Sequence, residues 1–269
     1  MSIGRWATRR PRTWLRSRYG LWPLLELRNR VVHGPGTPWW WVVEGMEVAR
    51  LRRRVGRLPQ TMVTTVVPTF RRPELLVRAV SSALDQTVRD HLVIVVDDGG
   101  GMVSHLPRDE RLVTVSLSRN SRRLGLVRNV GIRLSRSPYV AFLDDDNEWR
   151  PNHLAVALRS LESGGDMVYT AIERFRADGS LLDVVSRDFD RRDFADGYPY
   201  VDSNAIVVRR SPRVRFSRIR RPMNLFPKED WELAWRLSRR LALRHVPERT
   251  VRYLVNEDSY YTPWRPHEI

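Results

Sequence analysis

YVAFLDDDNEWRP, residues 139–151, joins an apolar run to a cluster of acids. The run from Tyr139 to Leu143 follows a proline and predicts a short buried strand. The carboxylates of Asp144, Asp145 and Asp146 come where this strand ends. Adjacent carboxylates repel one another and are unstable in a dry core without a cation. The stretch therefore predicts either a solvated acidic loop or a divalent-metal site, because Mg²⁺ commonly binds one or two carboxylates together with substrate phosphates.

Other apolar runs repeat this pattern and alternate with segments of helical periodicity. Strands are predicted over residues 62–67, 92–96, 111–117, 139–143, 166–171 and 204–208, and helices over 73–84, 124–134, 152–162 and 227–237. The alternation predicts an open, mostly parallel α/β sheet of the Rossmann-like type, with helices on both faces. In such a sheet, ligands bind beyond the carboxyl ends of the strands.

Several polar and aromatic residues are predicted to meet at that edge of the sheet. They are Pro68, Thr69, Phe70, Asp97, Asp98, Asp144, Asp145 and Asp146, with Arg72, Arg122, Arg123 and Arg128 nearby. Acids suit a metal, guanidinium groups suit phosphates, and an aromatic ring offers a stacking surface, so the set fits a nucleoside diphosphate. The glycines at 99–101 favour a plain turn, because a P-loop Lys-Ser/Thr and a dinucleotide spacing are both absent.

A second group of acids stands at the start of a predicted helix late in the chain. Glu229, Asp230 and Glu232 lie in its first turn, where capping and the helix dipole stabilise carboxylates. They are therefore either structural, or they include a general base at the rim of the site. The histidines at 105, 153 and 245 have no partner at metal-ligand spacing, and we expect them to be structural or surface residues.

Composition narrows the class of protein. The 269 residues suit one sizeable domain with an appendage, or two small domains. The 42% hydrophobic content excludes a wholly disordered chain. Cysteine is absent, which excludes disulfides, zinc-thiolate sites and a Cys nucleophile. No run of 18 apolar residues occurs, which excludes an ordinary transmembrane helix. We expect a cytoplasmic protein, with peripheral contact at the inner face of the membrane left open.

The formal net charge of +16 is concentrated in an N-terminal arm, residues 1–60. The arm holds 13 Arg against three Glu and contains six of the ten Trp. Arg with Trp suits an anionic membrane surface, where each basic residue contributes about 1 kcal/mol. The same composition also suits an arm that packs against the rest of the chain, or one that is partly disordered. It suits binding of nucleic acid less well. Lys228 is the only lysine, so codon bias can also account for part of the Arg content.

The order of short motifs resembles family two of the glycosyltransferases, the inverting group with the GT-A fold. The motifs are TVVPTFRRPELL (65–76), SSALDQT (81–87), VVDDG (95–99), RNVG (128–131), AFLDDD (141–146) and EDW (229–231). The resemblance covers about residues 61–240 and leaves the arm outside it. It implies a nucleotide-binding half over about 61–150 and an acceptor half over about 151–269.

The resemblance also implies site residues and roles. Pro68, Thr69, Phe70 and Arg72 would line the base pocket, Asp98 would contact the base, and a basic residue such as Arg122 or Arg128 would approach the diphosphate. Asp144 to Asp146 look like the DXD motif, with Asp145 similar to the ribose-contacting acid and Asp146 to the metal ligand. Because three acids occur in a row, Asp144 stays a second candidate ligand. Asp230 resembles the catalytic base, and Glu229 stands beside it.

The implied reaction is a metal-dependent, inverting and non-processive transfer of one sugar, with Mn²⁺ or Mg²⁺ as cofactor and a UDP-sugar as the favoured donor. The acceptor stays open among a glycan, a lipid-linked glycan and a small molecule, because acceptor pockets are built from variable loops such as residues 186–203. Two alternatives stay open as well. One is a nucleotidyltransferase, and the other is a noncatalytic basic protein that binds a membrane or nucleic acid.

Overall fold

A computed structural model describes residues 9–101, 103, 105–198, 200–222 and 224–255, with side chains from Trp14 onwards. The end of the predicted acceptor half, residues 256–269, therefore lies outside the described residues. Helices of the described part are α1 (Arg9–Tyr19), α2 (Leu21–His33), α3 (Thr37–Val55), α4 (Pro73–Leu84), α5 (Leu124–Leu134), α6 (His153–Glu162), α7 (Arg191–Asp196) and α8 (Glu229–Leu237). A short 3₁₀ turn spans Ser203–Ala205.

One mixed sheet forms the centre of the molecule. Its strands are β1 (Val63–Thr69), β2 (His91–Asp97), β3 (Leu112–Ser116), β4 (Tyr139–Phe142), β5 (Glu148–Trp149), β6 (Met167–Phe175), β7 (Leu181–Val185), β8 (Ile206–Arg209) and β9 (Leu243–Leu254). Their order is β3-β2-β1-β4-β8-β6-β9-β5, with β7 paired to β6. Strands β1 and β2 are buried at every residue, as expected of parallel strands covered on both faces.

The order of the strands reverses between β1 and β4. The chain steps outward from β1 to β2 and β3, and β4 then pairs in parallel with the other side of β1. In a doubly wound sheet such a reversal opens a crevice beyond the carboxyl ends of the two strands. The ends of β1 and β4 carry Phe70 and the three consecutive acids, so the topology places both beside that crevice.

The second half of the sheet is mixed in direction. Strand β8 pairs antiparallel to β4, β6 pairs antiparallel to β8, and β9 pairs in parallel with β6. Because β8 runs against β4, the start of β8 lies beside the end of β4. This brings the residues just before β8 to the same edge as the acids.

Helix α5 lies against β1 at very short range. A Cβ atom on Gly131 would come within 2.4 Å of Cγ1 of Val66, so only glycine permits this approach. The close contact holds Arg128, one turn earlier on α5, between the end of β4 and the start of α8, where it pairs with an acid of each.

The described part of the N-terminal arm, from residue 9 onwards, is mainly helical, and α2 and α3 pack on the rest of the chain. On α2, Trp22 stacks on Phe226 and Trp231 at centroid distances of 6.0 and 5.5 Å. On α3, the carboxylate of Glu44 is fully buried and accepts from Arg218 at 2.6 and 2.7 Å, from Arg133 at 3.2 Å and from Asn129 at 3.1 Å.

The other two acids of the arm also face inward. Glu26 accepts from Arg221 at 2.7 Å, and Glu47 accepts from Arg50 and from the backbone and hydroxyl of Ser118. All three glutamates are less than 9% exposed. The side of the arm that carries these glutamates therefore packs against the rest of the chain.

The predicted strands and helices are present, with ends shifted by up to four residues. Strand β9 was not predicted, because Pro247 and several charged residues interrupt its apolar pattern and its register shifts where it pairs with Ala171. The arm helices were not predicted either. No helix of the described residues is long and apolar enough to cross a membrane.

Candidate active site

A cleft of about 500 Å³ opens beyond the carboxyl ends of β1 and β4. The residues to which the resemblance assigns a role all lie on its wall: Pro68, Thr69, Phe70, Arg72, Asp98, Arg122, Arg128, Asp144, Asp145, Asp146, Glu229 and Asp230. Asp97, also expected at this edge, does not line the cleft, and its carboxylate accepts the backbone N–H groups of Gly100 and Gly101 instead. The residues with assigned roles come from parts of the chain up to 162 positions apart. The fold therefore brings the separate motifs into one concave site, which is where ligand sites most often occur.

Asp98 lies with Phe70 on the cleft wall and organises the turn at Ser121 and Arg122. Its two oxygens accept backbone N–H groups of Ser121 at 2.7 Å and of Arg122 at 3.1 Å. Burial raises the pKa of Asp98 above the ordinary value, although these hydrogen bonds oppose the shift. Arg122 has a φ of 54°, an unusual value for a residue with a side chain. The turn geometry keeps its exposed side chain on the cleft wall.

The turn at the end of β2 also requires glycine. Gly99 has a φ of 75°, and a Cβ atom there would lie 2.7 Å from the backbone nitrogen of Asn120. The carboxylate of Asp97 accepts the N–H groups of Gly100 at 2.8 Å and Gly101 at 2.9 Å. These contacts agree with the plain turn favoured by the sequence.

Asp145 and Asp146 are linked to β1 and the start of α4. Asp145 accepts from the hydroxyl of Thr69 at 2.7 Å, and Arg72 donates to Asp146 at 3.0 Å and to Asp145 at 3.5 Å. The side chain of Asp145 is 9% exposed and that of Asp146 is 22% exposed. Asp146 is thus the more open of the two toward the cleft.

The electrostatic environment of Asp146 disfavours its charge. Burial, followed by the neighbouring charges of Asp144 and Asp145, raises the pKa of Asp146 to about 7, although Arg72 opposes the shift. A cation bound at this position would offset both effects, because it favours the ionised carboxylate.

Asp144 has polar partners for both of its oxygens. Arg128 donates to one at 2.5 Å, and the side-chain amide of Asn204 donates to the other at 3.1 Å. Asn204 also accepts the backbone N–H of Asp144 at 2.6 Å and donates to Asp202 at 2.7 Å. Asn204 therefore joins the end of β4 to the residues that precede β8.

Arg128 is the buried centre of this site. Its guanidinium donates to Asp144, to Glu229 at 3.0 Å and to the hydroxyl of Ser203 at 2.9 Å. Only 2% of its side chain is exposed. Although burial opposes its charge, the carboxylates of Asp144, Glu229 and Asp230 raise its pKa. The ion pairs join α5, β4 and α8.

Asp230 stands at the start of α8 and is 8% exposed. Its oxygens accept the backbone N–H of Trp231 at 2.9 Å and that of Ser203 at 3.4 Å. Burial, together with the charges of Asp202 and Glu229, raises the pKa of Asp230 well above its usual range. A buried carboxylate that holds a proton readily is suited to general acid–base work.

The sequence did not single out several residues of the cleft wall. They are Asp202, Ser203, Arg221 and Lys228, with Asn204 behind them. Burial raises the pKa of Asp202 and lowers that of Lys228 to about 8. The only sequence signal for these residues was the polar run Asp202-Ser203-Asn204 before an apolar strand. The run reaches the edge of the sheet that carries the acids because β8 is antiparallel to β4.

The carboxylates of the cleft provide only part of the coordination shell that a divalent metal requires. Among the described residues, no group of three or more His, Cys, Asp or Glu side chains is arranged to hold a metal by itself. Mg²⁺ is usually held by one or two carboxylates, with waters and substrate phosphates as the other ligands. An open carboxylate at Asp146 beside Asp144 fits that kind of site.

Several known proteins match part of this sequence, including one from Staphylococcus aureus and one from Rhizobium meliloti. Poly(ribitol-phosphate) beta-N-acetylglucosaminyltransferase TarP of Staphylococcus aureus (strain N315) is 35% identical over 92 residues, which are 32% of this chain and 28% of TarP. The succinoglycan biosynthesis protein ExoO of Rhizobium meliloti (strain 1021) is 34% identical over 131 residues, which are 47% of this chain and 34% of ExoO. These two matches therefore span about a third of each relative's length.

Solved structures establish the likeness of the fold. Residues 1–349 of S. aureus TarS, in complex with UDP-GlcNAc, superpose with a TM-score of 0.58 at 16% identity, covering 76% of this chain and 61% of that one. The predicted α/β sheet of the GT-A type is thereby confirmed. The family model for glycosyl transferase family 2 matches residues 64–216, more than half of the chain, and so confirms the resemblance found from the motifs. This chain belongs to glycosyl transferase family 2.

Proposed function

We propose that this protein transfers one sugar from a nucleotide-sugar donor to an acceptor hydroxyl, with inversion at the anomeric carbon. The observation that carries the proposal is the convergence of Asp98, Asp146 and Asp230 on one cleft. A nucleoside, a diphosphate and an acceptor hydroxyl each need a different polar group. The cleft supplies one for each, between the ends of β1 and β4 and the start of α8.

The nucleoside end of the site is assigned to Phe70 and Asp98. Phe70 offers an apolar face, and Asp98 lies with it on the cleft wall beside the Ser121–Arg122 turn. Arg72 and Arg122 supply guanidinium groups for the diphosphate. Because TarS has been solved with UDP-GlcNAc in a fold like this one, a UDP-sugar is the donor class to test first.

The acceptor end of the site is assigned to Asp230. Its carboxylate takes the proton of the acceptor hydroxyl as the hydroxyl oxygen forms a bond to the anomeric carbon. The bond from that carbon to the diphosphate oxygen breaks on the opposite face, and the electron pair leaves with the nucleoside diphosphate. Burial, followed by the charges of Asp202 and Glu229, raises the pKa of Asp230, which strengthens it as a proton acceptor.

A divalent cation would neutralise the charge that develops on the departing diphosphate. Between the two candidate ligands, Asp146 is favoured over Asp144. Both oxygens of Asp144 are engaged by buried donors, Arg128 and Asn204. Asp146 pairs instead with Arg72, whose side chain is 44% exposed and can move toward a phosphate.

The proposal is tested with a panel of nucleotide sugars and Mn²⁺ or Mg²⁺. A ligand that binds only the folded state raises stability, by about 2.7 kcal/mol at a hundred times its dissociation constant. We expect one UDP-sugar with metal to raise the melting temperature more than the other donors do. Incubation with an acceptor, or slow hydrolysis without one, should then release UDP and no pyrophosphate.

Two results would contradict this function. Release of pyrophosphate would identify a nucleotidyltransferase. Absence of both stabilisation and hydrolysis across the panel would favour a noncatalytic protein.

Replacing Asp146 by Ala is expected to lower the transfer rate by about 10²–10³-fold, since it removes one element that stabilises developing charge. The metal concentration needed for half-maximal donor binding should rise in the same variant. Calorimetric titration of the nucleotide at a series of Mn²⁺ concentrations measures this. Asp178→Ala, at an exposed turn between β6 and β7, is the matched control. An unchanged metal dependence in Asp146→Ala would reject this ligand.

A further inference from the structure

The arm helices carry exposed apolar side chains around the turn between α2 and α3. We call this surface the apolar tip. It consists of Val31, Val32, Pro35, Pro38, Trp39, Trp41 and Val42. Val31 is 69% exposed, and Trp39 and Trp41 are each 58% exposed. Large apolar groups clustered in this way on a surface usually mark an interaction site.

The apolar tip contains no charged residues, and the exposed charges on the neighbouring parts of α2 and α3 are positive. Residues 31–43 contain no Arg, Lys, Asp or Glu, although charged residues make up 29% of the chain. Arg28 and Arg30 on α2 and Arg52 to Arg54 on α3 are exposed beyond it. The glutamates of the arm, at 26, 44 and 47, are all buried against the rest of the chain. From residue 14 to residue 60, the outer surface therefore carries positive charge and no exposed acid.

We infer that the apolar tip docks on an anionic lipid bilayer. Trp side chains suit the headgroup region, and arginines are attracted to acidic lipids. Shallow insertion of apolar side chains beside basic ones is how interfacial helices bind membranes without crossing them. Two copies of this surface, if they faced one another, would bring arginines together with no exposed acid to pair with, so a second copy of the chain is the poorer occupant.

The position of the apolar tip determines how far the cleft would lie from a bound bilayer. At its start, α2 places Trp22 against Trp231, which lines the cleft. Trp22 and Val31 are nine positions apart on this helix, a rise of about 14 Å. Docking through the tip would therefore hold the cleft close to the headgroups.

The test uses the full chain and vesicles of two compositions, phosphatidylcholine alone and phosphatidylcholine with phosphatidylglycerol. We expect the protein to sediment with the anionic vesicles, and less so at higher salt because the arginines are then screened. The double variant Trp39→Ala, Trp41→Ala should lower the partition coefficient about tenfold or more. Both side chains are exposed, so the melting temperature should stay near that of the wild type.

The matched control is Leu181→Ala with Leu182→Ala, which removes two exposed apolar side chains from β7 instead. It should bind vesicles as the wild type does. The inference is overturned if the wild type does not bind anionic vesicles, or if the tryptophan variant binds as well as the wild type. It is overturned as well if the wild type forms a dimer that this variant abolishes, since the occupant is then a second copy.

Discussion

Replacing Asp230 by Asn is expected to lower the rate of sugar transfer by about 10²–10⁴-fold, the range for loss of a general base. The amide cannot accept the acceptor's proton, but it keeps the size of the side chain. Binding of the nucleotide should be unchanged, because the groups assigned to the nucleoside lie at the ends of β1 and β2. Initial rates and calorimetric nucleotide binding, measured on the same preparation, separate the two effects.

The same substitution should change the response to pH. Because burial and acidic neighbours raise the pKa of Asp230, transfer by the wild type should increase with pH through a value above that of an ordinary Asp. An acid with a raised folded pKa stabilises the fold only at low pH, and this contribution is lost as pH rises through that pKa. Asp230→Asn cannot ionise, so at neutral pH it should unfold at the same temperature as the wild type or higher.

Asp85→Asn, an exposed position at the end of α4, controls for the loss of one negative charge. It should leave both the rate and the pH profile unchanged. Transfer at the wild-type rate by Asp230→Asn would remove Asp230 as the base and leave Glu229 as the next candidate.

Replacing Arg128 by Met is expected to lower the free energy of unfolding by about 3 kcal/mol, the lower part of the range for breaking a buried ion pair. Arg128 is buried, and its removal leaves Asp144 and Glu229 without their shared cation. The lower figure applies because these carboxylates are 25% and 14% exposed. Urea unfolding measures the loss, which is a large part of the stability of a typical domain.

Arg128→Lys provides the comparison if Arg128→Met does not fold. Lysine keeps the charge but cannot donate to Asp144, Glu229 and Ser203 through one planar fork. We expect it to fold and to transfer sugar more slowly than the wild type, because the end of β4 and the start of α8 are no longer held together. Arg89→Met, an exposed substitution, should change neither property. Wild-type stability in Arg128→Met would show that Arg128 does not link the two elements.

Much of the fold could be predicted from the sequence because its signals are local. A parallel strand covered on both faces must be apolar or at least uncharged at successive positions; residues 92–96 are all apolar, and residues 63–69 are all uncharged. Acids or a proline at the ends of such runs marked the edge of the sheet. The cleft contains every residue to which the motif resemblance assigned a role, whereas Asp97, also expected at the edge, does not line it.

Strand β9 and the position of residues 202–204 were not predicted, because neither follows from an uninterrupted apolar run. Strand β9 is stabilised by pairing with β6 and β5, so its charged residues and Pro247 did not prevent a strand from forming. Asp202 to Asn204 precede an apolar run, but the sequence does not say that this run is antiparallel to β4. Only that direction brings them beside Asp144.

The arm illustrates the same difference. Its composition indicated positive charge and tryptophan, which suit both packing and a membrane surface. In the structure, one side of the arm packs and another is exposed: Trp22 and the glutamates are buried against the rest of the chain, whereas Trp39 and Trp41 are exposed to solvent. Which side of a helix is buried depends on the partner that covers it, and that partner lies far away in the chain.

Residues 139–151 show where local information ends. Their order alone predicted a buried strand followed by an acidic edge suited to a metal and a diphosphate. The separate environments of the three acids come from distant residues: Arg72 beside Asp146, Thr69 beside Asp145, and Arg128 and Asn204 around Asp144. Asp144 is further joined, through Arg128, to Glu229, which lies 101 residues beyond Arg128 in the chain. Burial and charge act through space, so these contacts, and with them the distinction between Asp144 and Asp146, required the folded chain.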